Sequence, residues 1–280
     1  MQFLQVVGDR RTIRWFKTWE PVPRAKVQRI LEVARLTTCP GNLQPWRAIV
    51  VERDKLDPQI REEMLAADNW QGGHTQAPVW IYWYADPNAA RPESFARQTM
   101  QLVEVGALPE AYGWNAEHIN AAIERGEQTP QGMADIHELI HGLPQAASEA
   151  VAAGETIGTC AVAVLAAVNE GLGTALNMIA RPSKQNRIKE ILGVPEDWIP
   201  VWLQLVGYPA EDARAGGQRP RLGFSQLFFE GDAHTPFERD DTVADELRDE
   251  GLLQEEAVAE NPRRFEELRF LARMYGYPEV

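Results

Sequence analysis

Between Gln145 and Glu170 the chain runs almost without bulky polar side chains. Ile157, Cys160, Ala161, Val164, Leu165 and Val168 keep a helical period, and alanine fills most positions between them. A helix this small and apolar on nearly all sides belongs at the centre of a fold, packed on a sheet or paired closely with a symmetry mate. Even so, no stretch approaches the ~20 uninterrupted apolar residues of a membrane span.

The sheet that such a helix would cover is legible in pieces. Pro78 to Ala85, Pro-Val-Trp-Ile-Tyr-Trp-Tyr-Ala, is the clearest strand, dense in β-branched and aromatic residues. Ala48–Val51, Ala175–Ile179 and Pro200–Val206 read as shorter, largely buried strands. Amphipathic helices are predicted after Pro21-Val22-Pro23, where Val27, Ile30, Leu31 and Ala34 form one stripe, and around Leu56, Ile60, Met64 and Ala67. Ser183–Leu192 reads as a further short helix. Helices and strands alternate irregularly, with few strands for the length, which favours an α+β layered fold over a regular doubly wound sheet.

The expected organisation is a single domain over residues 1–280. A helical insertion at about 86–144 carries short patterns near Phe95–Val105, Ala116–Glu124 and Gln131–Leu143. An acidic C-terminal arm at about 224–280 carries two more, near Thr242–Leu253 and Arg263–Tyr275. Neither has a core of its own, so the arm is expected to lie over the body or over a partner subunit.

Charge narrows the partners. The net charge of −13 argues against nucleic acid. Its distribution is uneven: residues 1–35 hold eight Arg/Lys against three Asp/Glu, and residues 226–280 hold six against fifteen. A locally basic segment in an acidic protein is what a buried anion site requires. The two cysteines, Cys39 and Cys160, are too few for a disulfide framework. With no basic-then-apolar signal at the N-terminus, a cytoplasmic protein is expected.

Three stretches carry possible chemistry. In Arg10-Arg11-Thr12-Ile13-Arg14-Trp15-Phe16, an extended backbone puts Arg10, Thr12 and Arg14 on one side and Ile13 and Trp15 on the other. Guanidinium forks with a hydroxyl suit a phosphate, and a solvated basic terminus is the plainer alternative. Thr37–Val51, T-T-C-P-G-N-L-Q-P-W-R-A-I-V-V, offers the amides of Asn42 and Gln44 between helix and strand. It reads either as a turn closed by Trp46 or as a loop that holds a flat polar ligand by its edge. His137-Glu138-Leu-Ile-His141 matches the H-E-x-x-H string of zinc hydrolases, without an evident third ligand. The G-x-S-x-G and P-loop strings are absent, neither Cys39 nor Cys160 has a nearby His, and Gly171-Leu-Gly is only a fragment of a dinucleotide fingerprint.

Taken together and in order, R-R-T-I-R-W-F, G-N-L-Q-P-W-R before a strand, G-L-G-T, G-Y-P-A-E and R-P-R-L resemble the FMN-dependent nitroreductase family. Pro21-Val-Pro23, Gln76-Ala-Pro78 and Leu192-Gly-Val-Pro-Glu-Asp197 support the resemblance, which covers roughly residues 8–85 and 150–222. It implies an α+β sandwich, a central mixed sheet wrapped by helices, assembled as a homodimer with FMN at the subunit interface. Arg10, Arg11, Thr12, Arg219 and Arg221 then match phosphate and ribityl contacts, and Arg14 a cation at the pyrimidine edge. Cys39, Pro40, Gly41, Asn42 and Gln44 match the loop offered by the facing subunit. Met178, Ile179 and Ala180 match the strand end along one ring face.

The activity implied is reduction of FMN by NADH or NADPH, then of a small aromatic acceptor, a nitroaromatic or quinone, in a ping-pong cycle. No protein acid, base or nucleophile is implied. Tyr112 and Trp114 of the insertion are candidates to line the acceptor space. Specialised members of the fold act as dehalogenases, azoline oxidases or flavin-modifying enzymes. A flavin-binding protein without turnover and the zinc hydrolase are alternatives of a different class.

Overall fold

The computed structural model describes residues 2–108, 115, 117, 121, 145–178 and 182–278. In chain order its elements are α1 (Phe3–Asp9), α2 (Arg24–Arg35), β1 (Trp46–Glu52), α3 (Pro58–Ala67), α4 (Gly72–Gln76), β2 (Val79–Ala85), α5 (Pro92–Glu104), α6 (Gln145–Asn169), β3 (Gly173–Asn177), α7 (Pro182–Leu192), β4 (Ile199–Gly207), α8 (Asp241–Asp249) and α9 (Pro262–Met274). The predicted patterns near 116–124 and 131–143 fall largely or wholly outside the described residues.

Strand β2 is buried along its whole length, and strand alternation sorts its side chains into two cores. Trp80, Tyr82 and Tyr84 pack with Met64, Leu65 and Ala67 of α3, Ile188 of α7, and Ile13 and Phe16 of the N-terminal segment. Val79, Ile81 and Trp83 pack on the other face with Val27, Ile30 and Ala34 of α2 and Cys160, Ala163, Ala166 and Ala167 of α6. Each large side chain buried this way contributes about 1.5–3 kcal/mol. The sheet is therefore sandwiched between two helical layers.

The strand order is β1-β2-β4-β3, every neighbour antiparallel. The parallel component of the expected mixed sheet is, among the described residues, confined to isolated bridges, of which Thr12 to Thr174 joins the N-terminal segment to β3. That bridge and the one from Phe16 to Pro209 hold residues 12–16 extended along β3 and the end of β4. β3 begins earlier than predicted, at Gly173, and ends at Asn177.

Two short helices escaped the sequence pattern. α1 and α4 have seven and five residues, too short to show a period, and neither has a side-chain cap. Packing holds them: Val6, Gly8, His74 and Gln76 are buried. The opposite case is α6. Ser148–Asn169 is long and apolar enough to cross a membrane by length and composition, yet half of it is buried inside the protein. Lys26 and Arg29 of α2 bond the Glu170 carbonyl and carboxylate at its C-terminal end, where cations complement the helix dipole.

The C-terminal arm lies over its own chain. Gln218 exchanges backbone hydrogen bonds with Glu255 and Ala257. The side chain of Gln254 accepts from Arg11 and donates to Asp9. Near the end of the arm, the Tyr275 hydroxyl donates to the Phe16 carbonyl. Trp15 contacts the rings of both Tyr275 and Tyr277.

A close approach fixes one glycine. A Cβ on Gly207 would stand 2.6 Å from Pro78 Cδ and 2.9 Å from Phe16 Cδ1. Gly207→Ala should destabilise the fold by about 1–3 kcal/mol through overpacking. An unchanged urea midpoint would refute this packing.

Candidate functional site

The N-terminal segment does not treat its cations alike. Arg10, Thr12 and Arg14 face outward, whereas Arg11 turns inward on the side of Ile13 and is only 6 % exposed. Its guanidinium is committed: Nε donates to the Gly217 carbonyl at 2.7 Å, Nη1 to the carbonyls of Gly8 and Arg10 at 2.6 and 3.0 Å, and Nη2 to Gln254 Oε1 at 2.9 Å. Arg11 therefore ties α1, the loop before Arg219 and the arm together.

Arg10, Arg11, Thr12, Arg219 and Arg221 line one cleft of about 540 Å³, with Val7, Gln218, Leu252 and Leu253. No carboxylate is among these lining residues. Asp9, the nearest acid in sequence, is paired to Arg214 at 3.2 Å. Burial and then the neighbouring Arg221 push the Arg10 guanidinium below its ordinary pKa. Arg11 is lowered by burial and by Arg10, with Asp9 opposing and Arg219 and Arg214 adding to the fall. Cations that destabilise one another around a space lined by no carboxylate create a potential that favours an anion there.

Thr12 also lines a second cleft, of about 570 Å³, with Arg14, Trp15, Gln71, Gly72, Gln76, Asn177 and Tyr277 among its walls. Glu211 holds this wall in place. Its buried Oε1 accepts the backbone N–H groups of Arg14 and Trp15, at 2.5 and 3.1 Å, and its Oε2 meets Arg264. Gln76 is 3 % exposed, and its Nε2 has no hydrogen-bond partner. A buried amide N–H left over beside a cleft is a donor available to a ligand. Gln71, Gln76, Asn177 and Glu211 were not singled out from sequence. Only folding brings α4, β3 and the loop after β4 to the Arg14 segment, and the local signals were the Gln76-Ala-Pro78 string and the G-Y-P-A-E string that ends at Glu211.

The remaining predicted residues stand apart within the single chain. Cys39 to Gln44 line neither cleft. Gly41, Asn42 and Gln44 all have positive φ, at 54°, 54° and 47°. That conformation costs roughly 1–2 kcal/mol for a residue with a Cβ. The loop is held by Gln44 N donating to Cys39 Sγ at 3.3 Å, Gln44 Nε2 to the Asn42 carbonyl at 3.2 Å, and Arg47 to the Gln44 carbonyl at 2.9 Å. Strain so fully over-determined is a feature of ligand-facing loops. Met178 is 60 % exposed at the end of β3. Ile179, Ala180, Tyr112, Trp114 and the His137-Glu138-His141 string lie outside the described residues. Among the described residues no group of three or more His, Cys, Asp or Glu is placed to hold a metal.

Comparison with known proteins follows the same lines. The nitroreductase family model matches residues 7–208, and the chain belongs to that family. It is 28 % identical over 211 residues to an NADH dehydrogenase of Thermus thermophilus, covering 75 % of this chain and 88 % of the relative. It is 23 % identical over 217 residues to an iodotyrosine deiodinase of Nematostella vectensis, covering 76 % and 69 %. Among solved structures, a protein from Exiguobacterium sibiricum in complex with FMN superposes with a TM-score of 0.61 at 22 % identity, covering 81 % of this chain and 96 % of that one.

Thiol chemistry separates the two cysteines. Burial pushes the Cys39 thiol up, Gln44's N–H partly opposes this, and the charge of Glu155 adds to it. Burial pushes Cys160 up to about 12. Because the thiolate is the nucleophile, Cys39 should react with iodoacetamide at pH 8 more slowly than a free thiol. Cys160 should not react until the protein is unfolded, and mass spectrometry of the labelled peptides reads both.

Proposed function

We propose that this protein is an FMN-dependent NAD(P)H oxidoreductase whose acceptor is a small aromatic molecule, a nitroaromatic or a quinone, reduced in a ping-pong cycle. The observation that carries this reading is the cleft of Arg10, Thr12, Arg219 and Arg221, with no carboxylate among its lining residues, which shares Thr12 with the second cleft beside Arg14. Family membership, the NADH dehydrogenase relative and the FMN-bound structural neighbour support it.

The residues present fit FMN. The side chains of Arg10 and Arg219 make no hydrogen bond or ion pair among the described residues, so with the Thr12 hydroxyl they can take a phosphate dianion. The guanidinium of Arg221 spends only long bonds, 3.2 and 3.4 Å, on nearby carbonyls and can join them. Arg14, Gln71 and Gln76 would hold the ring edge, and the Arg14 charge would favour the electron-rich reduced form. Met178, Ile179 and Ala180 would border one ring face. The chemistry that FMN supplies when bound is acceptance of a hydride from NADH or NADPH and delivery of reducing equivalents to the acceptor. Arg11 acts here as a scaffold for the cleft.

The reading includes a homodimer of a single nitroreductase-like domain, in a cytoplasmic setting where both thiols stay reduced. α6 supports the dimer. Gly154, Ile157, Gly158 and Ala161 form an exposed, small, apolar stripe at helical spacing, and nothing lies within 4 Å of where a Cβ on Gly154 or Gly158 would be. Cys39 of the strained loop feels the charge of Glu155 on this same helix. In such a pair, Cys39, Pro40, Gly41, Asn42 and Gln44 would complete the partner's FMN site. The deiodinase relative favours a second reading, reductive dehalogenation of an aromatic by the same site.

Purified protein should show flavin bands that bleach anaerobically with NADH or NADPH. Colourless protein that cannot be reconstituted with FMN would sink the proposal, and flavin that stays oxidised would point to a binder without turnover. Arg10→Ala with Arg221→Ala should weaken FMN binding by at least 100-fold, about 3 kcal/mol for two charge-assisted contacts, while leaving the ligand-free melting temperature unchanged or higher. Ile157→Arg should convert the dimer to monomer by light scattering and lower its flavin content; a dimer that persists would place the interface elsewhere.

A further inference from the structure

Behind the second cleft lies a buried pair, Asp68 and His74, that the flavin reading does not use. Asp68 and His74 are 3 % and 0 % exposed, with Asp68 Oδ2 at 3.1 Å from His74 Nδ1, close but not aligned as a hydrogen bond. Trp80 packs edge-on against the imidazole at 4.2 Å, and the hydroxyl of buried Tyr82 lies 3.5 Å from His74 Nε2. Toward the cleft, Asp68 Oδ2 accepts from Asn177 Nδ2 at 3.4 Å, and the same nitrogen donates to Gln71 Oε1 at 3.2 Å.

The direction of these bonds follows from what each group can do. A carboxylate only accepts, so Asn177 must turn its nitrogen toward Asp68. That nitrogen's second N–H reaches Gln71, which must answer with its oxygen. Gln71 Nε2 is then left with its N–H groups available to the cleft, on the same side as Arg14 and the unpartnered Nε2 of Gln76. Were Asp68 neutral and able to donate, Asn177 and Gln71 could both reverse, and the cleft would meet a carbonyl oxygen.

We propose that Asp68 and His74 form a positioning pair that sets the hydrogen-bond sense of the cleft. Acting through Asn177, the pair makes Gln71 a donor to an electron-rich, carbonyl-bearing ring edge. The inference rests on the flavin reading for the identity of that ring, and on the hydrogen-bond order alone for the direction of the donor. His74, enclosed by Trp80 and Tyr82, keeps Asp68 fixed from behind.

The isosteric variant Asp68→Asn tests it with two readouts. In flavin-free protein, the side-chain amide resonances of Asn177 and Gln71 in a nitrogen–proton NMR spectrum should be distinct and slow to exchange in the parent, and should shift and exchange faster in the variant. In the FMN-loaded protein, losing a donor to the reduced ring should lower its affinity relative to the oxidised ring about tenfold. That is a fall of about 30 mV in midpoint potential. Simple removal of a nearby negative charge predicts the opposite sign, a rise. Asn177→Ala, which leaves the buried pair intact, should give the same fall and covers the case in which Asp68→Asn does not fold. A potential that rises or stays put in either variant overturns the proposal, as do amide resonances that do not respond. If the protein takes up no FMN, the flavin reading fails by itself, and the amide resonances still decide whether Asp68 orders Asn177 and Gln71.

Discussion

The buried carboxylate of Glu211 holds the site's parts in one place. With its side chain fully enclosed, it spends one oxygen on the N–H groups of Arg14 and Trp15 and the other on Arg264 of α9. A buried carboxylate left without these partners costs several kcal/mol, so the three segments are bound to one another through it. Backbone bonds extend the same clamp: Ile13 donates to the Thr174 carbonyl, Lys17 to Tyr208 and Ala210 to Trp15. The basic segment thus behaves as an edge piece of the sheet, and strand alternation turns Arg10, Thr12 and Arg14 to one side. The cation-lined surface is a consequence of that pairing.

Charge is then distributed with a division of labour. Arg11, on the inward side, is neutralised mainly by carbonyl dipoles, which fix it without adding a competing anion to the cleft. Arg10, Arg219 and Arg221 are left facing a space with no carboxylate, in a chain whose net charge is −13. Such an arrangement is unfavourable by itself and is relieved when an anion enters. The acidic arm does not fill that role, because Leu252 and Leu253 are the residues it presents to the cleft. Elsewhere on the arm, Glu267 is paired with Arg264.

How much of this was legible beforehand varied with distance along the chain. β1, β2 and β4 were readable because each is a short run rich in apolar residues, β2 above all, whereas β3, Gly-Thr-Ala-Leu-Asn, was placed two residues too late. α2, α3, α7 and α9 were readable because each has a stripe or a proline at its start. α1 and α4 were not, since seven or five residues cannot display a period and only their burial stabilises them. For the site, R-R-T-I-R and R-P-R were visible as cation patterns, and alternation in an extended segment sets Arg11 on the opposite side from Arg10. What receives the Arg11 guanidinium on that side was not legible, because Gly217 and Gln254 are more than two hundred residues away.

What the amino-acid order determined by itself was the layered α+β plan, the apolar helix packed on its sheet, and two basic strings in an acidic chain. These follow from periodicity, composition and the chemistry of guanidinium groups, all of which act over a few residues. Tertiary structure alone decided that the arm folds back over its own chain, and that Glu211 staples the first segment to the last helix. It also decided that Gln71, Gln76 and Asn177 share a cleft with Arg14. Those facts depend on contacts between residues far apart in sequence, where no local pattern carries the information and burial selects which polar groups must find one another.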